Sequence, residues 1–232
     1  MRGKLLRIVP FAVGLICLGC AFLTVGCGSS TARYRFIQAA TAVPTNVDLQ
    51  VDGKTVQSAV GYGQPATYHS ATSGSRKFVL FPTGTTTNPY VSESVNLGSR
   101  DTTLLMQNTS SGDVLSAFTD DNTAPTTGNA KLRIIHSAFT AGAIDVYVVP
   151  TGNGISGFNP QIANMTFQGA SNYLSLSAAA YDVIMTVNGT QNVLNNLTGT
   201  YTLTSGQIRT IVVLDASFGG GPYQQLELND LN

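Results

Sequence analysis

The chain has 232 residues, with 12 Lys and Arg balancing 12 Asp and Glu, and only 10% of it is charged. The basic residues are scattered, so the basic stripe needed to hold nucleic acid is missing and no nucleic-acid partner is expected. Trp is absent and the polarity is carried by uncharged side chains, a style common in exported β-proteins.

The N-terminus opens with Arg2, Lys4 and Arg7, followed by an apolar stretch from Ile8 to Val25 and then Gly26-Cys27-Gly28-Ser29-Ser30. Basic, then apolar, then small residues is the layout of a secretory signal. A Cys after Gly, opening a Gly/Ser run, resembles the bacterial lipobox, in which the thiol is alkylated by diacylglycerol and the chain is cut before it. Residues 1–26 are therefore expected to be a lipoprotein signal peptide, Cys27 the lipidation site and residues 27–32 a tether. Burial of acyl methylenes, about 0.8 kcal/mol each, would make the membrane the first partner.

Thr24 stands where the lipobox usually has Leu, and Cys20 after Leu18-Gly19 is a competing site that would leave AFLTV on the mature end. An uncleaved anchor is the alternative, since about eighteen apolar residues just suffice to span a bilayer. Gly28 rather than Asp after the Cys points, by analogy, to the outer membrane as the place in the cell envelope. All three cysteines lie in this segment. A mature chain starting at Cys27 thus has no disulfide, thiol nucleophile or Cys metal site, and its 9 basic residues against 12 acidic ones give a net charge near −3.

The first long patterned stretch is RYRFIQAATAVPTNVDLQV, Arg33 to Val51, opening a domain expected over residues 33–121. A polar run, NTAPTTGN at residues 122–129, reads as a linker with nothing to bury. The second stretch, KLRIIHSAFTAGAIDVYV from Lys131 to Val148, opens a domain over residues 130–232. The two are copies. Arg35 aligns with Arg133, Phe36-Ile37 with Ile134-Ile135, Ala40 with Ala138 and Asp48 with Asp145. Tyr62 and Tyr68 then align with Phe167 and Tyr173, and Phe78 and Leu80 with Val183 and Met185. TTLLMQ at Thr102 falls against IRTIVV at Ile208, and the second copy carries a longer loop, Thr151 to Asn164. This period is too long for a solenoid and means one domain present twice.

Within each copy the pattern alternates. Leu132, Ile134 and His136 share one strand face and Arg133, Ile135 and Ser137 the other. Ile144, Val146 and Val148 are expected to face in, with Asp145 and Tyr147 facing out. A Gly-rich turn, Ser217 to Tyr223, precedes a last strand at Leu226 to Leu228. Many short strands between Gly, Pro, Asn and Ser turns predict an all-β protein of two tandem antiparallel β-sandwich domains.

RIIHSA, a short turn, then IDVYV resembles the repeats of the bacterial domain-of-unknown-function family 4397. The Tyr/Phe-to-Tyr spacing and SAAAYDVIM fit as well, across nearly all of the mature chain. The first copy departs from the pattern, with Gln38 in place of the His and Leu49-Gln50 in place of Val-Tyr. The resemblance implies an exported, immunoglobulin-like all-β module without an established activity.

Candidate chemistry is sparse. His136 sits in the central motif, but its alternation turns it inward, as a core histidine bonded to a carbonyl. Ser137 points to the opposite face and cannot pair with it as nucleophile and base. His69 is expected at a solvated strand end. Asp48 and Asp145 are ligand or cation candidates, or else short carboxylates holding the preceding turn through backbone N–H groups. Asp120-Asp121-Asn122 and Asn229-Asp230 occupy matching places, yet no calcium-binding loop pattern surrounds them. The repeated aromatics Tyr62, Tyr68, Phe167 and Tyr173 are expected as core or corner residues. Paired carboxylates, HExxH, GxSxG and phosphate-cradling glycine loops are all missing, so no catalytic residue, metal or cofactor is predicted.

The sequence thus predicts a membrane-anchored envelope lipoprotein with a non-catalytic binding or structural role, its partners an envelope protein or polysaccharide. A carbohydrate- or matrix-binding adhesin is the second reading, marked by an exposed aromatic strip. A hydrolase is the third, marked by a cleft holding His136 or His69 near a carboxylate.

Overall fold

A computed structural model describes residues 30–43 and 45–231. The first half contains β1 (Thr31–Gln38), β2 (Val47–Val51), β3 (Lys54–Val60), β4 (His69–Thr72), β5 (Gly74–Pro82), β6 (Val91–Leu97), β7 (Thr102–Thr109) and β8 (Gly112–Thr119). The second half contains β9 (Asn129–Ser137), β10 (Ile144–Pro150), β11 (Ile162–Met165), β12 (Leu174–Ser177), β13 (Ala179–Val187), β14 (Val193–Leu203), β15 (Ile208–Leu214) and β16 (Gln224–Asn229). The protein is all-β, arranged as two sandwich-like units. Each unit has two four-stranded sheets, ordered β4-β1-β7-β8 and β3-β2-β5-β6 in the first, β12-β9-β15-β16 and β11-β10-β13-β14 in the second. The topology repeats strand for strand, including a parallel pair of first and seventh strands in each unit. β1 begins inside the stretch read as tether, and β9 begins at Asn129.

Local sequence explains the elements. In β2, VDLQV alternates between fully buried Val or Leu and partly exposed Asp or Gln, the mark of a strand with one face in a core. Asp52 and Gly53 follow with φ of 50° and 79°. This Asp-Gly pair, both residues left-handed, makes the tight turn that returns the chain as β3.

The registers of the two units correspond residue by residue. Leu49 lies opposite Leu80 and Val51 opposite Phe78, while Val146 lies opposite Met185 and Val148 opposite Val183. One part of the alignment is corrected. Tyr34 pairs with Thr102 and its equivalent Leu132 pairs with Arg209, so TTLLMQ corresponds to RTIVVL and not to IRTIVV. A slip of one residue in a strand exchanges its faces, and the correction puts Thr103 and Thr210 in equivalent places.

Each unit has its own core between its sheets, Phe36, Leu49, Phe78, Leu80 and Leu104 in the first and Ile134, Val146, Val183, Met185 and Ile211 in the second. A third cluster joins the units. Ile37 and Leu105 from the first pack with Ile135, Val212, Leu214 and Leu228 from the second. The sheets containing β1 and β9 are therefore covered on both faces, which is why FI, LLM, II and IVVL run without alternation. Each such fully buried aliphatic side chain contributes roughly 1.5–3 kcal/mol.

Asp145 and Tyr147 do lie on the face turned away from the core of Ile144, Val146 and Val148, but both are buried there. Tyr147, Val149 and Ile184 form a small cluster on the outer face of that sheet, covered by Ile155 from the inserted loop.

Candidate functional site

The two units meet through an exchange of charge. Arg35 of β1 is fully buried and its Nη2 donates to Asp230 Oδ1 at 2.7 Å, just past the last strand of the other unit. Arg133 of β9 is the equivalent residue, and its Nη2 donates to Asp120 Oδ1 at 2.5 Å, just past the last strand of the first unit. The surroundings repeat as well. Arg35 Nε donates to Thr103 at 2.8 Å and Arg133 Nε to Thr210 at 3.1 Å. Thr103 donates to Asp120 and Thr210 to Asp230. Tyr68 Oη donates to Asp120 at 2.5 Å and Tyr173 Oη to Asp230 at 2.7 Å. Each guanidinium also lies over the ring of its own unit's tyrosine, 4.8 Å for Arg35 on Tyr68 and 4.7 Å for Arg133 on Tyr173.

Electrostatics follow from this packing. Burial opposes the charge of Arg35, but attraction to Asp230, Tyr68 and Asp120 outweighs it and holds the guanidinium above its ordinary pKa. Burial raises the phenols of Tyr68 and Tyr173 well above theirs, with Arg35 and Arg133 opposing. Both phenols therefore stay protonated and act as donors. The carboxylates of Asp120 and Asp230 accept charge-assisted bonds from every side, which leaves neither as an open cation ligand. Among the described residues no group of three His, Cys, Asp or Glu is placed to hold a metal ion.

Beside this network, a groove of about 550 Å³ runs between the units. Arg100, Phe118 and Asp121 line it from the first unit, Lys131, Asn172 and Tyr173 from the second. Lys131 bonds Asp121 at 2.9 Å. Hydrogen bonds from Thr123 and Lys131 hold the Asp121 carboxyl down to about 2. Arg100 also borders two adjoining depressions, one beside Asp101 and Asn122 and one beside Asn96 and Thr102.

The model of the domain of unknown function DUF4397 matches residues 32–147, half of the chain, a span that takes in Arg35, Asp120 and Arg133. The chain belongs to the DUF4397 family. No curated protein matches it. Among solved structures it is similar to a streptococcal virulence factor solved for alpha-glucan binding. There the identity is 12% and the TM-score 0.26, over 78% of this chain and 92% of that one. A family CBM26 module of Amy13K from Eubacterium rectale, solved with maltoheptaose, gives 13%, 0.25, 83% and 95% for the same quantities. The Bacillus anthracis TIE protein gives 10%, 0.27, 86% and 34%.

The residues singled out in this DUF4397 chain fall into several places. Cys27 lies outside the described residues. His136 is fully buried, as its alternation predicts. Its Nδ1 accepts the N–H of Ala138 at 3.3 Å, so Nε2 carries the proton and donates to Gly142 O at 2.7 Å. Burial lowers its pKa, opposed by the Gly142 bond and by Asp215. Gln38 in the first unit copies the arrangement, accepting from Ala40 N and donating to Ala40 O. Ser137 is bonded across the junction by Gln107 at 2.9 Å. His69 is partly buried, its ring 6.0 Å from that of Tyr34.

Asp48 and Asp145 do bind backbone N–H groups, but each those of one residue in a neighbouring strand and of a glycine in the turn after the other neighbouring strand, not those of the preceding turn. Asp48 accepts from Ala59 at 2.8 Å and Gly84 at 3.0 Å. Asp145 accepts from Asn164 N at 2.7 Å, Gly189 N at 2.8 Å and the Asn188 amide at 2.9 Å. Ala59 and Asn164 have φ of 55° and 53°, so each carboxylate steadies an equivalent left-handed residue in the adjoining strand. Those bonds lower the pKa of both Asp side chains, against burial in Asp145. The exchange of Arg35 and Arg133 was not foreseen. One trace of it in the sequence is that two arginines and two aspartates, 35 with 133 and 120 with 230, recur at equivalent places.

Proposed function

We propose that this chain is a non-catalytic envelope lipoprotein, anchored through Cys27, in which two β-sandwich units form one binding body and present the groove between them to an envelope polymer or protein. The observation that supports this reading is the junction itself. Arg35, Arg133, Asp120 and Asp230 bond one another across it, and His136 is bonded on both ring nitrogens and buried. Groups so engaged hold geometry and have no free valence for a substrate. A scaffold that fixes a groove between two rigid units suits recognition.

A second reading, a carbohydrate- or matrix-binding adhesin, draws on exposed aromatics at one end of the second unit. Phe139 is 47% and Phe218 98% exposed, and Phe139 packs edge-on against Phe167 at 5.3 Å. Their two loops are tied together by Thr140 and Asp215.

The test of the anchor is the intact mass of membrane-extracted protein beside a Cys27→Ala variant, with fractionation of both. A mass starting at Cys27 plus acyl chains, with release or mislocalisation of the variant, is the expected result. An uncleaved or unlipidated chain would sink the lipoprotein reading.

A further inference from the structure

The repeat supplies an internal comparison for the groove. Strand pairing makes Ala117 and Phe118 of β8 equivalent to Glu227 and Leu228 of β16, since Thr103 faces Phe118 and Thr210 faces Leu228. The matching groove on the other side of the junction is lined by Pro65, Ala66, Thr67, Arg209, Glu227 and Leu228, and holds about 250 Å³. There Arg209 and Glu227 approach to 3.5 Å and neutralise each other. In the larger groove Ala117 stands for Glu227, and in the adjoining depression Thr102 stands for Arg209, so that pair is gone and the space is open. Arg100 stands where the other copy has Gln207, whose side chain accepts from Thr204 N inside its own turn. Arg100 is exposed and makes no ion pair or hydrogen bond with the described residues. The two copies have thus diverged at the same place in three ways, all opening space or leaving positive charge.

We infer that the larger groove binds an oxyanion carried on a polar, sugar-like segment, with Arg100 as its cation and Asn172 as a neutral hydrogen-bonding partner. This rests on the binding role proposed above and names its ligand class. Charge favours an anion. The lining carries Arg100, Lys131 and Arg133, of which Lys131 is paired with Asp121 and Arg133 with Asp120, so Arg100 is its one cation without a paired carboxylate among the described residues, while residues 30–231 as a whole carry 9 basic and 12 acidic groups. Size argues that the anion is attached to something, because about 550 Å³ falls within the range of small-molecule sites, roughly 300–1,000 Å³, and far exceeds a bare ion. The walls favour a hydroxylated segment over an aliphatic one, with Ser171, Asn172 and Ser175 along one side.

The test is calorimetric titration of the full chain with four probes, namely trigalacturonate, a glycerol-phosphate oligomer, inorganic phosphate and neutral maltotriose. The expected result is binding of the first or second, weakening with salt, with maltotriose inert. The first two distinguish a carboxylate from a phosphate source. Arg100→Glu and Ala117→Glu should each weaken that binding about tenfold or more, the scale of one charge-assisted hydrogen bond. Arg209→Ala, in the closed groove, should leave it unchanged. An unaltered melting temperature shows that the variants fold. Wild-type affinity in both groove variants, equal binding of maltotriose, or no binding of any anionic probe would overturn the oxyanion assignment and leave the scaffold role standing. Cleavage of a probe would instead overturn the non-catalytic reading itself.

Discussion

Asp230→Asn removes one carboxylate from the junction and leaves Arg35 fully buried without its direct ion-pair partner. The substitution is nearly isosteric, so packing changes little. What is lost is the 2.7 Å contact to Arg35 together with the charge that strengthens the bonds from Thr210 and Tyr173. Breaking a buried pair from one side costs about 3–5 kcal/mol, a large share of the roughly 5–15 kcal/mol that holds a domain folded. Urea unfolding followed by circular dichroism reads this as a fall in midpoint at constant slope. The surface pair Arg76–Asp52, with side chains 28% and 44% exposed, is the control, and Asp52→Asn should cost under about 1 kcal/mol.

Replacing both buried partners, as Arg35→Met with Asp230→Leu, should be milder than the two single changes added together, since no charge is then stranded. Asp230 lies in the second unit and Arg35 in the first, so amide exchange should speed up in β1 as well as around β16. A loss below about 1 kcal/mol in Asp230→Asn, or strict additivity in the double variant, would refute the argument.

Other outcomes follow from the same geometry. Asp120→Asn should cost as much as Asp230→Asn, because its partners Arg133, Thr103 and Tyr68 are equivalent; unequal melting shifts would show that the symmetry is not energetic. His136 is held neutral with a lowered pKa, so the unfolded chain takes up a proton first and stability should fall as pH drops below about 6.5. His136→Gln, the solution already present at Gln38, should flatten that part of a stability–pH curve. Asp145→Ala strands three donors in a buried site and should cost about 1–3 kcal/mol, against less for the more exposed Asp48→Ala, as thermal melts would report. Gly63→Ala should destabilise by about 1 kcal/mol or more, because Gly63 has φ of 64° and an added Cβ would lie 3.3 Å from Leu214 of the other unit.

The all-β class and the inward turn of His136 were legible because they are properties of one chain segment read against its own period. RIIHSA and IDVYV announce strands by composition, and Asp48 and Asp145 announce a shared role by recurring. What was illegible depends on a second surface. Arg133 alternates with Ile134, so pattern alone puts it away from the core, and only the neighbouring unit turns that outer face into an interior. The same holds for Tyr147, covered by a loop whose Gly- and Asn-rich sequence gives no hint of where it lies. A signal was nonetheless present. Leu104-Leu105-Met106 and Ile211-Val212-Val213 do not alternate, and an unalternating run in a short strand calls for cover on both faces. The misplacement of TTLLMQ by one residue arose there too, since runs of aliphatics give no register.

The exchange across the junction also explains why the grooves could diverge. Each unit contributes one arginine and one aspartate, so the surface is self-complementary in the manner of a two-fold dimer, in which each partner offers the same patch. In a true homodimer any change would appear in both grooves at once. Joining the units in one chain makes their association intramolecular and removes that constraint. The central elements, Arg35 with Arg133, Thr103 with Thr210 and Tyr68 with Tyr173, have stayed equivalent because each secures the other unit's buried charge. At the edges, where nothing reciprocal is at stake, Glu227 faces one groove and Ala117 the other. The junction's symmetry is therefore what keeps the protein together, and its local failure is what gives the protein one open groove instead of two closed ones.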